Sequence, residues 1–96
     1  MEKKVLIYVR DEAYGRRLLE YLETRHSGGI DWELVTERGF ERRKDEKGVW
    51  LTDDPGQTED EDKKVWYLTA STVAAEGEIC RYQTAEALYQ DLMKKM

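Results

Sequence analysis

The first strong signal in the chain is an unbroken apolar and aromatic run, Val5-Leu6-Ile7-Tyr8-Val9, set between lysines and Arg10-Asp11-Glu12. Hydrophobicity that is continuous rather than alternating suits a strand covered on both faces, as in the middle of a parallel sheet. From Glu12 to His26 the period lengthens. Tyr14, Leu18 and Leu22 recur at every fourth position with Tyr21 beside them, while Arg16, Arg17, Glu20, Glu23 and Arg25 fill the other side. This pattern predicts an amphipathic helix with Asp11 as N-cap and Ser27-Gly28-Gly29 as its stop. Ile30 to Thr36 alternates apolar with polar residues and predicts a half-exposed strand near a sheet edge. Glu37 to Lys47 is mostly charged around one large apolar anchor, Phe40, and supports no more than a short helix ended by Gly48.

Val49-Trp50-Leu51-Thr52 reads as a third strand stopped by Asp53-Asp54-Pro55-Gly56. Six of the ten residues from Asp53 to Asp62 are acidic, which predicts a solvated loop. Val65 to Thr69 is a fourth strand, Ala70 to Gly77 a turn or very short helix, and Glu78 to Tyr82 a fifth strand. The last segment, Thr84 to Met96, carries an apolar stripe of Ala85, Leu88 and Leu92 and predicts a helix capped by Thr84. Repeated strand–helix units imply parallel strands in one three-layer α/β domain spanning residues 1–96. Five such strands most often take the flavodoxin-like order 2-1-3-4-5, with ligands at the strands' carboxyl ends. The crossovers after strands 3 and 4 are cut down, so the helices that would be third and fourth are shortened or replaced.

Composition narrows the function classes. Of 96 residues, 16 are basic and 21 acidic, a net charge of −5 that argues against nucleic acid or an anionic membrane as partner. No apolar run is long enough to cross a bilayer, and the apolar stretch before Arg10 is too short for the core of a secretory signal. A single cysteine, Cys80, makes no intrachain disulfide and fits a cytoplasmic location. Its strand position predicts a core residue. His26 is the sole histidine, so no histidine pair exists for metal or catalysis. Glu59-Asp60-Glu61-Asp62 lacks the spacing and central glycine of a calcium loop.

Polar residues stand at the expected strand ends: Arg10-Asp11-Glu12, Asp53, Thr69-Ala70 and Arg81. With Thr84-Ala85-Glu86-Ala87-Leu88 opening the last helix, this arrangement resembles the CheY-like response-regulator receiver domain. The resemblance implies that Asp11 and Glu12 match acids holding Mg²⁺, that Asp53 matches the phosphoacceptor, and that Thr69-Ala70 matches the switch pair. Arg81 stands in place of a lysine, Tyr82 in place of a proline, and Arg10 in place of the first acid. A cation at that position repels a divalent ion, and a guanidinium does not substitute for an ammonium at a tight phosphoryl site. The expectation is a vestigial pocket of Arg10, Asp11, Glu12, Asp53, Thr69 and Arg81, without metal or cofactor. Its acids, Asp11 and Asp53, would then pair with Arg10 and Arg81. The alternative is a phosphorylatable receiver using Asp53, with Mg²⁺ on Asp11 and Asp53.

Arg81-Tyr82-Gln83-Thr84-Ala85-Glu86 before an amphipathic helix is further similar to the atypical receiver domains at the N-terminus of MinD/ParA-like pilus-assembly ATPases of the tight-adherence type. That likeness implies a non-catalytic domain for association and placement, with an ATPase domain after Met96. Trp32, Trp50 and Trp66 with Tyr67 and Tyr82 are many large aromatics for this length. They fill the core, or else Trp50, Trp66, Tyr67 and Tyr82 form an interface on a sheet face that lacks its helical cover. The partner expected there is a protein, including a second copy in a homodimer.

Overall fold

The computed structural model describes residues 3–26, 28–53, 63–70 and 77–95. Their order is β1 (Lys3–Tyr8), α1 (Glu12–Arg25), β2 (Ile30–Leu34), α2 (Glu37–Arg43), β3 (Gly48–Thr52), β4 (Lys63–Thr69), β5 (Glu78–Cys80) and α3 (Ala85–Lys95). The strands form one sheet in the order β2-β1-β3-β4-β5, with every neighbouring pair parallel. The flavodoxin-like α/β expectation therefore holds. The irregular crossover expected beyond Asp53 and the turn expected beyond Ala70 fall mainly outside the described residues.

Alternation along the strands divides the core. On one face Val5, Ile7, Trp32, Leu51, Leu68 and Ile79 meet Leu18 and Leu22 of α1 and Leu88 and Leu92 of α3. On the other, a smaller cluster of Leu6, Val35, Trp50 and Val65 is packed by Tyr8, Phe40 and Tyr67. Helix α2 supplies Phe40, which stacks on Tyr8 with centroids 4.2 Å apart and meets Trp50 edge-on at 6.2 Å. It buries none of its residues fully, so charges must help to hold it. Lys4 and Arg43 both approach Glu33 Oε2, at 3.0 and 3.1 Å, and both also pair with Glu46. These hydrogen bonds hold the Glu46 carboxyl down at about 2 and raise the Lys4 ammonium and the Arg43 guanidinium.

A second polar cluster joins α1 to α3. His26, the C-cap of α1, stacks on Tyr89 at 3.6 Å, and its Nε2 lies 2.9 Å from Glu86 Oε1. Tyr21 Oη donates to the same oxygen at 2.8 Å and Gln90 to Oε2 at 3.1 Å. Led by the His26 contact, these bonds hold the Glu86 carboxyl at about 2. Asp11 and Thr84 cap α1 and α3 as their sequence positions predict, accepting from Tyr14 N at 3.2 Å and from Ala87 N at 3.1 Å.

Several boundaries differ from the sequence reading: β1 runs from Lys3 to Tyr8, α2 ends at Arg43, and Gly48 opens β3 instead of stopping the helix. β4 begins at Lys63, where the charge pattern predicts loop, because Lys63 is only 5% exposed. Its stem crosses the Trp50 ring, with Nζ 4.9 Å from the centroid, and its ammonium donates to the Lys44 carbonyl. β5 stops at Cys80 rather than Tyr82, and Cys80 is half-buried rather than a core residue. β2 ends at Leu34 because Thr36 already serves as the N-cap of α2. Among the described residues, no helix is long and apolar enough to cross a membrane.

Candidate functional site

Parallel register brings the strand ends together. Tyr8 pairs with Thr52 and Thr52 with Tyr67, so Arg10, Asp53 and Thr69 emerge side by side from β1, β3 and β4. Asp53 is half-buried, and its carboxylate accepts from the Arg10 backbone N–H at 3.1 Å (Oδ1) and 3.3 Å (Oδ2). The contact is made by the amide of Arg10 and not by its guanidinium. Asp53 and Thr69 line an open cleft of ≈ 530 Å³ with Arg10, Tyr67, Ala70 and Glu78. Tyr67 and Glu78 are register partners on the sheet face that carries α2, which places the cleft on that side.

Arg81 does not join this cleft. Its backbone N–H donates to Thr69 O at 2.9 Å, continuing the β4–β5 ladder by one residue. Its guanidinium instead lies over the Tyr14 ring at 5.0 Å and the Tyr82 ring at 5.7 Å. Both distances are within the range of a cation–π contact. Tyr14 belongs to the first turn of α1 and packs against the core on the opposite sheet face. Burial pushes its phenol up. Arg81 opposes that shift and Asp53 adds to it, so Tyr14 lies within electrostatic reach of both charges.

The pocket expected from Arg10, Asp11, Glu12, Asp53, Thr69 and Arg81 is therefore divided. Arg10, Asp53 and Thr69 form the cleft, whereas Arg81 is drawn into an aromatic clamp. Asp11 is occupied as the α1 cap, and Glu12 pairs with Arg16 at 2.9 Å. The expected ion pairs of Asp11 and Asp53 with Arg10 and Arg81 do not form among the described residues: Asp11 accepts the Tyr14 amide, Asp53 accepts the Arg10 amide, and Arg81 lies over two tyrosines. Among the described residues no three acids, histidines or cysteines stand close enough to hold a metal ion together.

The candidate interface aromatics separate as clearly. Trp50 is 0% exposed and its Nε1 donates to Glu46 O at 2.9 Å, so it belongs to the core and not to an interface. Trp32 is also buried, with Nε1 donating to His26 O at 2.8 Å. Trp66 is half-buried against the larger core, and Tyr67 is half-buried at the cleft. Tyr82 is 71% exposed.

Two site features are missed by sequence reasoning. Tyr14 reads there as one more residue of the α1 stripe, although its place one turn after the first strand end is a usable signal. The other is a ≈ 380 Å³ cavity between the ends of β1 and β2, where Val9, Arg10, Leu34 and Thr36 meet. No protein-family model matches the chain, and no curated protein matches it.

Proposed function

We propose that this chain is a receiver-like protein-interaction domain without phosphotransfer chemistry, serving a cytoplasmic assembly or signalling protein through association with itself or with another protein. The observation that carries this reading is the state of Asp53. Its carboxylate accepts the Arg10 amide, while Asp11 caps a helix and Glu12 pairs with Arg16. A phosphoacceptor needs a metal and a cation converging on it, because phosphoryl transfer rests on positioning and charge neutralisation. Here the neighbouring acids are turned elsewhere and Arg81 is held by two tyrosines.

Two measurements test the reading. Sedimentation equilibrium across a wide concentration range, alone and with candidate partner proteins, reports association. Amide spectra with beryllofluoride and Mg²⁺ report the alternative, in which Asp53 is a working phosphoacceptor. The proposed function expects no Mg²⁺-dependent shifts around Asp53. Saturable shifts at 10–12, 53 and 69 would replace it with the phosphorylatable receiver.

A further inference from the structure

We propose that Arg81, clamped between Tyr14 and Tyr82, is a docking point for a carboxylate side chain on an acidic segment of a partner protein. This rests on the reading above and names the chemistry of the partner. Arg81 is half-buried, yet among the described residues its guanidinium has neither a hydrogen-bond acceptor nor an ion-pair partner. Its N–H donors are therefore left for solvent or for an external acceptor. The acids at this end of the sheet do not serve, because Asp11 accepts the Tyr14 amide, Asp53 the Arg10 amide and Glu12 the Arg16 side chain.

The two rings stand within cation–π distance of the guanidinium and favour this placement before any ligand arrives. Arginine otherwise loses much rotamer freedom on binding, so a side chain already held by stacking binds with less entropic loss. The N–H edges of a stacked guanidinium remain available, and their fork matches the two oxygens of a carboxylate. Tyr82 extends the point into a surface. It is the one exposed large hydrophobic side chain among the described residues, at 71%, and tyrosine and arginine are both enriched at protein interfaces. A lone fork is poorly suited to nucleic acid, which requires clustered cations. One bidentate carboxylate is the match in size and charge.

Titration of the full chain, ¹⁵N-labelled, with hexaglutamate tests the assignment. Saturable shifts are expected at the Arg81 Nε–H and at the amides of Tyr14, Tyr82 and Gln83. Arg81→Ala should weaken binding at least about tenfold, as truncation of a central interface arginine does. Arg81→Lys should weaken it several-fold, because an ammonium cannot form the fork. Tyr82→Ala removes an exposed ring, leaves the core intact, and should also weaken binding. Absence of shifts in the wild type, unchanged binding in Arg81→Ala or Tyr82→Ala, or equal binding of inorganic phosphate at these residues would each overturn the proposal. Loss of hexaglutamate binding with self-association intact would remove this inference alone, whereas Mg²⁺-dependent shifts at Asp53 would remove the reading beneath it.

Discussion

Trp50 and Tyr82 show how far side-chain type falls short of deciding a residue's role. Both are large aromatics in or just after short strands, yet one is fully enclosed and the other is 71% exposed. Trp50→Ala should destabilise the fold by about 3–5 kcal/mol, the usual range for emptying a buried aromatic site. Tyr82→Ala should change stability by no more than about 0.5 kcal/mol. Urea unfolding of the two variants checks both, and similar losses would contradict the burial assignment. Gly48 is a quieter case. It sits at φ 129°, and a Cβ there would come 2.9 Å from the Lys4 carbonyl oxygen. Because the obstacle is backbone on the neighbouring strand, it cannot rotate away. Gly48→Ala should cost about 2–3 kcal/mol, readable as a lower urea midpoint. The glycine was legible only as a helix stop, since the steric reason lies on a strand far away in sequence.

At the scale of elements, local patterns carried the strands and the two long helices, and long-range contacts decided the rest. The apolar run at Val5 and the four-residue spacing from Tyr14 to Leu22 are local, so β1 and α1 could be read directly. Lys63 could not, because nothing in the surrounding charge run shows that Trp50 and the Lys44 carbonyl will cover it. The seam between α1 and α3 was equally hidden, since His26 and Glu86 come from distant segments. Glu86→Ala removes the acceptor shared by His26, Tyr21 and Gln90. Amide hydrogen exchange in α3 should then accelerate relative to the sheet, because opening of a single docked helix is a sub-global event. Equal acceleration in β1 and β3 would show that the seam supports the whole fold instead of one helix.

For the whole molecule, the sheet order was legible because a chain of strand–helix units leaves few right-handed arrangements. The site was not, because register and side-chain direction at the strand ends turned Arg81 toward Tyr14 and away from Asp53. The same geometry gives the molecule a defined response to acid. Glu46 and Glu86 both titrate at about 2 in the folded chain, against an ordinary value of 4.5. As pH falls through 4.5 the unfolded chain takes up these protons while the folded chain does not, so the unfolded state gains. The stabilisation from both carboxylates is complete above pH 4.5 and is lost progressively as pH falls toward 2. Between those limits the dependence of unfolding free energy on pH should include an uptake of about two protons from this pair. Glu46→Gln with Glu86→Gln should flatten that part of the profile and lower stability at pH 7, where the ion pairs of Glu46 and the hydrogen bonds of the Glu86 carboxylate are lost. Chemical denaturation of both proteins from pH 7 to pH 2.5 measures it. Parallel profiles for the variant and the wild type would mean that α2 and α3 are held mainly by Phe40, Leu88 and Leu92, with the charged clusters adding little.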